Sequence, residues 1–327
     1  MRVLVTGANG FVGRAIVAEL LQKNHEVFCL VSPKSEENNS LTNVLRADIS
    51  ASESLSRLEN TQNIDVIIHS AGLAHQFGKT SDEDFWKVNV RGTENVANLA
   101  AKLQVKHFIL ISSVAVYGTG RDKLESVDET TFCQPQSVYA RSKFESENAA
   151  IEICEKNKIA LTILRLATVI GEDDRGNTAR LVDAIDRKRF VWIGNGENRK
   201  SLIYKSDAAA ACLKVLAKKT PETEIFNITG EPVRMSFIVS EIAEVLGKKI
   251  PKLSVSVPLL EKIFRANAKT AKLGKITKLS ETVEKWISED IFSGEKIAEV
   301  YGFRAATTVS EAIRREVEAY KVKKVKK

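Results

Sequence analysis

Charge-poor segments rich in β-branched residues alternate with longer amphipathic segments through the first half of the chain. Five of the charge-poor segments are typical of strands buried on both faces of a sheet: residues 2–6, 26–31, 65–70, 107–112 and 161–166. Three intervening segments have the spacing of helices with one apolar face: residues 11–23, 81–103 and 137–156. This alternation is typical of right-handed strand–helix–strand units, so the sequence predicts an α/β fold with a Rossmann-type doubly wound parallel sheet.

The alternation loosens after about residue 165. Polar, glycine-bearing loops occupy residues 171–177 and 194–200, whereas residues 224–228 have the composition of a strand that rejoins the main sheet. A smaller, discontinuous α+β lobe is therefore expected beside the sheet. The predicted division is a Rossmann domain over residues 1–166, rejoined by about 202–230, a substrate-binding lobe over 167–201 and 231–320, and a basic tail over 321–327.

The net charge of +7 is concentrated at the end of the chain. Five lysines stand in the terminal KVKKVKK and are not interleaved with aromatic residues. This clustering is typical of a solvated tail, with a weak phosphate or membrane-surface contact as the alternative. It does not predict nucleic-acid binding.

The four cysteines, Cys29, Cys133, Cys154 and Cys212, lack the spacing of a metal site or of a paired redox motif. They indicate a reduced, cytoplasmic protein without a bound metal. No apolar run approaches the roughly 18 residues that a membrane span requires, and the opening residues do not form a signal peptide. Membrane insertion is therefore not expected.

The first predicted strand runs into a glycine-rich turn, TGANGFVG, at residues 6–13. Gly7, Gly10 and Gly13 would let the backbone turn sharply and approach a pyrophosphate, which the N-terminus of the next helix attracts. A tight strand-to-helix turn also favours glycine, so the motif alone is weak. Its place at the start of a βαβ unit favours a dinucleotide, NAD or NADP. The contacts predicted here are Gly7, Asn9, Gly10, Phe11, Val12 and Gly13.

The end of the second predicted strand lacks the carboxylate that commonly binds the adenosine ribose. Residues 31–33 are Val-Ser-Pro, and Lys34 follows. Because a hydroxyl and a cation would accept a 2′-phosphate, the prediction tips slightly toward NADP over NAD. Asp48 and Ile49 are predicted to contact the adenine, and the alternative for Asp48 is an ordinary loop or capping role.

Tyr139 and Lys143 lie four residues apart in a predicted helix and therefore share one face. A nearby ammonium lowers the pKa of a phenol, which lets a tyrosine transfer protons near neutral pH. Lys143 would also donate to the nicotinamide ribose. Ser113 ends a predicted strand beside Ser112, where parallel sheets bind cofactors, and would hydrogen-bond the substrate oxygen. A lone tyrosine–lysine pair is common by chance, but with the serine and the glycine turn it predicts a catalytic set of Ser113, Tyr139 and Lys143.

Six blocks of sequence resemble the extended short-chain dehydrogenase/reductase family, also called the NAD-dependent epimerase/dehydratase family. They are TGANGFVG (6–13), HSAG (69–72), VNVRGT (88–93), FILISSVAVYG (108–118), PQSVYARSK (135–143) and FNITG (226–230), in the family's order over nearly the whole chain. The resemblance implies further cofactor contacts from Ala71, Gly72, Asn89, Ser112, Tyr139 and Lys143. For His69 and Asn89 the alternative is a role as hydrogen-bonded buried polar groups.

The resemblance also narrows the reaction. In the family's sugar 4,6-dehydratases, Asp and Glu follow the active hydroxyl, whereas Val114 and Ala115 follow Ser113 here and cannot move a proton. What it implies is a nucleotide-sugar 4-epimerase or a 4-keto-sugar reductase acting on a UDP- or dTDP-sugar. More narrowly, the chain is similar to the bacterial UDP-acetamido-hexosulose 4-reductases and epimerases of surface polysaccharide synthesis.

Four residues of the second lobe are implied as substrate contacts: Thr168, Asn177, Arg199 and Lys200. Lys200 stands where relatives carry the arginine that binds the nucleotide pyrophosphate, and Thr168 stands where many carry Asn. A lysine supplies charge without the bidentate fork, so Arg199 is expected to assist. A solvated surface is the alternative for the two basic residues.

Two other functions stay open at this point. One is NADP-dependent reduction of a non-sugar ketone on the same machinery. The other is dinucleotide sensing without catalysis, which does not require the intact serine, tyrosine and lysine that this chain has. A homodimer through the helices at 81–103 and 137–156 would fit the family by analogy.

Overall fold

A seven-stranded parallel sheet forms the centre of the molecule. The computed structural model describes residues 1–36, 41–59, 63–74, 81–119, 126–216, 222–250, 253–256 and 286–325. Its strands, in chain order, are β1 (Arg2–Thr6), β2 (Glu26–Val31), β3 (Val44–Arg46), β4 (Val66–His69), β5 (His107–Ser113), β6 (Ala160–Leu166), β7 (Thr168–Ile170), β8 (Trp192–Ile193), β9 (Arg199–Lys200), β10 (Leu202–Tyr204), β11 (Glu224–Ile228), β12 (Val233–Arg234) and β13 (Ser254–Val255).

The α-helices described in these ranges flank the sheet and build the second lobe. They are α1 (Phe11–Gln22), α2 (Ser52–Ser56), α3 (Asp82–Phe85), α4 (Gly92–Lys102), α5 (Val138–Lys156), α6 (Asn177–Asp186), α7 (Lys205–Leu216), α8 (Met235–Leu246), α9 (Glu295–Tyr301) and α10 (Val309–Val325). A π-helix (Trp86–Arg91) joins α3 to α4, and a 3₁₀-helix (Val114–Tyr117) follows β5. None of the helices in the described ranges has both the length and the apolar character that crossing a membrane demands.

The strand order of the main sheet is β3-β2-β1-β4-β5-β6-β11, and each neighbouring pair is parallel. The predicted Rossmann-type fold class is confirmed, and β11 lies beside β6 at the sheet edge, as the composition of residues 224–228 predicted. The predicted segments differ in detail. The helix predicted over 81–103 is interrupted by the π-helix, and the edge strand β3 was not predicted because it is only three residues long and largely exposed.

Side chains of successive strand residues face opposite sides of the sheet, and both sides are covered. In β1, Val3 and Val5 pack in a buried cluster with residues of α1 and α7, whereas Leu4 belongs to a second cluster with α4 and α5. This double coverage explains why the strands are apolar throughout rather than alternating. Because the strands are parallel, their carboxyl ends meet at one edge, which is where the candidate site lies.

The second lobe has its own core. Residues of α6, α8 and α10 pack together with β7 and β10 in a cluster that includes Leu181, Ile242 and Ile313. Residues 321–325 of the predicted basic tail form the end of α10. Two lysines of this helix end are paired with carboxylates while their side chains stay more than half exposed: Lys323 lies 2.6 Å from Asp173, and Lys324 lies 2.5 Å from Asp186.

Candidate active site

The glycine turn after β1 has no room for side chains at Gly7 and Gly13. Gly7 has a φ of +65°, and a Cβ there would lie 2.7 Å from the Ala71 Cα. A Cβ on Gly13 would lie 2.1 Å from the carbonyl oxygen of Gly7. The turn is closed by a hydrogen bond from Gly10 N to Gly7 O at 2.8 Å. Glycine is therefore needed for the backbone itself, before any ligand is considered.

The same turn also fits a dinucleotide. Gly10 caps α1 without a side-chain hydrogen bond, and the first turn of α1 carries no acidic residue. The residue at the start of this helix is thus an exposed glycine, and no capping side chain occupies its first N–H groups or its positive end. Asn9, Phe11 and Val12 flank this position and are partly exposed.

Asn89 connects the π-helix to the loop after β4. Its Oδ1 accepts from Leu73 N at 2.7 Å, while its Nδ2 donates to Leu73 O at 3.1 Å and to Ser142 Oγ at 2.9 Å. The Oδ1 atom also lies 3.1 Å from where a Cβ on Gly72 would be. Asn89 thus fixes the segment that carries Ala71 and Gly72, and it is buried and fully engaged, which was the alternative for this residue.

His69 is a structural residue at the end of β4. Its Nδ1 lies 2.7 Å from Thr6 Oγ1 and its Nε2 lies 3.0 Å from Thr93 Oγ1. Burial, with the nearby charge of Lys143, lowers the pKa of His69 to about 3, so the ring is neutral at physiological pH. These contacts are those of a hydrogen-bonded buried polar group, the role that the sequence left open for His69.

Exposed basic residues and an aspartate that is hydrogen-bonded within its own loop occupy the predicted adenosine end of the site. Asp48 accepts from Ser50 N at 2.9 Å and from Ser50 Oγ at 2.8 Å, and these bonds lower its pKa. Ile49 is buried, so only Asp48 is accessible of this pair. Beyond β2, Lys34 is exposed, and Arg46, which pairs with Val31 in the sheet, donates to Ser35 O at 2.9 Å.

The structure brings Ser113, Tyr139 and Lys143 together at the carboxyl end of β5. A hydrogen bond links the Ser113 and Tyr139 side chains, and the Tyr139 ring packs edge-on against the buried Phe85, with 6.3 Å between ring centroids. Lys143 is buried and its Nζ donates to Ile111 O at 2.6 Å. The three side chains that sequence reasoning combined therefore do share one location.

The protonation of this set differs from the expectation in one respect. The sequence predicts a lowered pKa for Tyr139, but burial raises it, and the hydrogen bond with Ser113 opposes that rise. Burial also lowers the pKa of Lys143 to about 8, while the charge of Glu147 opposes the change. The reason is desolvation, which acts against the charged form of both groups and which a one-dimensional motif does not report.

A buried polar network lies directly beneath the set, and sequence reasoning missed it. Glu147 accepts from Ser112 Oγ at 2.5 Å and from Arg165 Nη2 at 2.6 Å. Arg165 Nη1 donates to the Tyr117 hydroxyl at 2.9 Å, which donates in turn to Asn227 Oδ1 at 2.9 Å. A signal was present, since Arg165 is a charged residue inside the otherwise apolar segment ALTILRL. Ser112, predicted as a cofactor contact, is buried and donates to this network.

Thr168, one of the predicted substrate residues, follows β6 close to the carboxyl edge of the sheet. Leu166 pairs with Ser113, Thr168 follows two residues later, and Thr168 pairs with Leu202 in the sheet of β7 and β10. Thr168 is exposed, and so is Asn177, the first residue of α6. Both are accessible from solvent.

The two basic residues are less available than predicted. Lys200 is buried, and its Nζ donates to Asp290 Oδ2 at 2.6 Å and to Ser288 Oγ at 3.1 Å. Arg199 lies 3.6 Å from the Glu289 carboxylate. Their positive charge is thus already opposed by an acidic segment about ninety residues later in the chain, which the loop sequence gave no means of anticipating. Within the described ranges, no group of three or more His, Cys, Asp or Glu side chains is placed to hold a metal ion.

Comparison with known proteins identifies the family of this chain. The model of the NAD dependent epimerase/dehydratase family matches residues 3–229, which include the glycine turn, β5 and α5. The chain belongs to this family. It is accordingly an enzyme of the extended short-chain dehydrogenase/reductase type, and a nicotinamide dinucleotide, NAD or NADP, is its cofactor.

Individual relatives of this family member differ in what they act on. The chain is 29% identical over 260 residues to an N-acetyl-alpha-D-glucosaminyl-diphospho-ditrans,octacis-undecaprenol 4-epimerase of Escherichia coli O157:H7, covering 79% of this chain and 76% of that protein. It is 28% identical over 259 residues to a 4-hydroxy-2-methyl-3-oxo-4-farnesyl-3,4-dihydroquinoline-1-oxide ketoreductase of Stigmatella aurantiaca, covering 76% and 74%. Its fold is similar to that of the UDP-glucuronic acid 4-epimerase from Bacillus cereus in complex with NAD, with a TM-score of 0.77, 20% identity and complete coverage of both chains.

Proposed function

We propose that this protein moves a hydride between a nicotinamide dinucleotide and C4 of a hexose carried on a diphosphate, with a UDP- or dTDP-sugar as the substrate. The overall reaction is then either 4-epimerisation or reduction of a 4-keto sugar. The observation that carries the proposal is the hydrogen-bonded pair of Ser113 and Tyr139 hydroxyls at the end of β5, with Lys143 buried behind it.

Each side chain has a distinct task in the proposed reaction. The bound nicotinamide supplies or accepts the hydride. Tyr139 gives a proton to the sugar oxygen during reduction and takes it back during oxidation, while Ser113 donates a hydrogen bond that holds this oxygen in place. Lys143 keeps a positive charge beside the cleft, which favours the phenolate when Tyr139 has given up its proton.

The residues after Ser113 support redox chemistry without elimination of water. Val114 is 7% exposed and Ala115 is partly exposed, in the 3₁₀-helix that follows β5. Neither side chain can act as an acid or base, so nothing at these positions would remove the C5 proton or protonate a leaving hydroxyl. The family's epimerase and reductase reactions fit this site better than dehydration.

For the cofactor we propose a slight preference for NADP over NAD. Supporting it are the exposed Lys34 and the exposed Arg46 beside the end of β2, with no carboxylate at residues 31–33. The comparison of KM values for NADPH and NADH tests this part. A preference for NADH would reverse the assignment and leave the reaction unchanged.

The decisive experiment combines spectroscopy with turnover. The purified protein is first scanned for nicotinamide absorbance and fluorescence, because an epimerase retains its cofactor between turnovers whereas a reductase exchanges it. It is then incubated with UDP-N-acetylglucosamine, or with a UDP-4-keto-6-deoxy-acetamidohexose plus NADPH, and the product is identified by NMR. Inversion at C4 or consumption of NADPH is the expected result.

A second candidate is reduction of a non-sugar ketone, which the similarity to the farnesyl-quinoline ketoreductase favours. Thermal unfolding separates the two, because a ligand stabilises only a protein that binds it. UDP and UDP-sugars should raise the melting temperature, and an aglycone quinoline ketone should not. The opposite pattern, with no shift for any diphosphate sugar, would replace the first candidate by the second.

The remaining parts of the proposal concern the setting of the enzyme. A homodimer through α4 and α5 is proposed by analogy with the family, and light scattering at micromolar concentration tests it. A cytoplasmic location is proposed as well, and fractionation of cells that express the protein checks that point.

A further inference from the structure

The helix that carries the catalytic tyrosine and lysine carries a third buried charge. Tyr139, Lys143 and Glu147 are spaced four residues apart on α5 and therefore lie on one face. Lys143 is 7% exposed and Glu147 is 1% exposed. A carboxylate this deeply buried requires partners that offset its desolvation.

Glu147 has such partners on both oxygens. Oε1 accepts from Ser112 Oγ at 2.5 Å and from Arg165 Nε at 3.1 Å, and Oε2 accepts from Arg165 Nη2 at 2.6 Å and Nε at 3.2 Å. The Arg165 side chain is itself 5% exposed and stacks over the Tyr117 ring at 4.8 Å. Bidentate pairing with Arg165 therefore restricts the Glu147 carboxylate to one orientation.

The end of β5 connects this carboxylate to the catalytic set. Ile111 O accepts from Lys143, the Ser112 side chain donates to Glu147, and the Ser113 side chain bonds with Tyr139. Three consecutive strand residues thus engage three consecutive turns of α5. Loss of the middle contact would therefore change how the outer two are aligned.

Among the groups around Lys143, the Glu147 carboxylate one turn along α5 favours the charged form of the lysine. Burial lowers the pKa of Lys143 to about 8, and Glu147 is the group that opposes this. From β4, His69 faces Lys143 but is neutral, because its own pKa is lowered to about 3. From β6, Arg165 is paired with the Glu147 carboxylate at 2.6 Å, and Tyr139 on α5 is protonated.

We propose that Glu147 is a positioning residue for the hydride-transfer reaction. Fixed by Ser112 and Arg165 beneath the cleft, it keeps Lys143 charged and directed along the edge of β5 toward the tyrosine and the cofactor. This inference rests on the catalytic role proposed above for Lys143.

The test is the pH dependence of Glu147→Gln. This variant lacks the carboxylate that favours the charged form of Lys143, so the lysine should lose its proton at a lower pH, by roughly one unit or more. The alkaline limb of kcat/KM should move to lower pH by that amount, and kcat at neutral pH should fall roughly tenfold, a typical loss for a group that orients a catalytic side chain. A profile that keeps its limb at the wild-type pH would overturn the proposal, whatever happens to the rate.

Matched variants separate orientation from general damage to the fold. Glu147→Asp retains the charge and should restore the limb to the wild-type pH even where the rate stays reduced. Ser112→Ala removes one hydrogen bond without changing charge, so it should lower kcat modestly and leave the limb in place. If Glu147→Gln does not fold, Glu147→Gln with Arg165→Met removes both charges; its limb should still lie below that of wild type, and coincidence with wild type would contradict the proposal.

The same titration can be followed without any sugar. Binding of NADPH, monitored by nicotinamide fluorescence across pH, reports the lysine charge if Lys143 contacts the cofactor ribose. A shift of this binding limb in Glu147→Gln supports the inference even if the sugar substrate proposed above proves wrong. No shift, in a wild type that binds NADPH with a clear alkaline limb, would reject the inference alone.

Discussion

The two halves of the cleft use charged residues differently. On the sheet side, polar groups sit at the ends of parallel strands, and their hydrogen bonds converge on Tyr139 and Lys143. On the lobe side, the basic residues expected to bind a diphosphate are held by acidic residues of a distant segment, as in the 2.6 Å contact between Lys200 and Asp290. The polar groups of the sheet side therefore bond to the predicted catalytic residues, whereas the positive charge of the lobe side is already opposed by carboxylates.

The difference also bears on how each half tolerates change. A side chain at the end of a strand is held in position by the hydrogen bonds of the whole sheet. We therefore expect a substitution there to abolish cofactor binding or catalysis. An ion pair in the lobe can be rearranged by substitution of one partner, so changes there should be graded.

Gly13→Ala should weaken dinucleotide binding and raise its Kd by more than ~10²-fold. A Cβ at this position would lie 2.1 Å from the Gly7 carbonyl oxygen, so the turn must open at the point where a pyrophosphate would approach the helix. Nicotinamide fluorescence titration measures the loss. Gly302→Ala is the control. Gly302 has a φ of +62°, and a Cβ there would have no described atom within 4 Å. This substitution should therefore cost only about 1 kcal/mol of stability and leave dinucleotide binding intact. Wild-type affinity in Gly13→Ala would contradict the proposed cofactor position.

Glu316→Gln should stabilise the lobe at alkaline pH. Glu316 is buried, one of its oxygens accepts from Gly171 N at 3.1 Å, and the other has no hydrogen-bond partner among the residues that the structure describes. Burial and the nearby Asp174 raise its pKa to about 8, so the folded state holds a proton that the unfolded chain releases near pH ~4.5. The stability that this proton provides is complete below the unfolded pKa and is lost as pH rises through about 8.

Thermal unfolding between pH 5 and pH 9 measures this effect. The wild type should lose more melting temperature across that range than Glu316→Gln, by roughly a few degrees. The neighbouring Glu172→Gln is the comparison variant, because Glu172 is paired with Lys205 at 3.0 Å and its pKa is lowered rather than raised. Parallel pH curves for wild type and Glu316→Gln would show that the carboxyl is ionised in the fold.

Much of the sheet side could be predicted from the sequence, for physical reasons. Strands buried on both faces are uniformly apolar, and the polar residue that follows each one must lie at the carboxyl edge, so Ser113 was placed correctly from its position alone. Tyr139 and Lys143 follow from helical spacing. The sign of the tyrosine's pKa shift did not follow, because desolvation depends on packing by Phe85 and other residues remote in sequence.

The lobe side was less predictable because its contacts are long-range. The bond between Lys200 and Asp290 joins residues 90 positions apart, and no local pattern indicates which carboxylate will reach a given lysine. The contact between Glu147 and Arg165 is intermediate in how far the sequence predicts it. Each residue stands out as a charge among buried neighbours, but their contact is set by the packing of α5 on the sheet.

Asp290→Asn should tighten binding of UDP by roughly fivefold, the smallest of the expected effects. The amide keeps the shape of the carboxylate but releases the Lys200 charge for a diphosphate, a gain of about 1 kcal/mol for a partly exposed pair. Isothermal titration with UDP measures the affinity, and Glu289→Gln tests the corresponding role of Arg199. Unchanged UDP affinity in Asp290→Asn would indicate that Lys200 serves the fold of the lobe rather than the substrate.

The most direct measurement is the turnover of Tyr139→Phe. The substitution keeps the ring that packs edge-on against Phe85 and removes only the hydroxyl that bonds with Ser113. Turnover should fall by at least ~10²-fold while NADPH binding stays within twofold of wild type, about what loss of a positioned proton donor costs. Turnover equal to that of the wild type would contradict the assignment of Tyr139 as the group that exchanges a proton with the substrate.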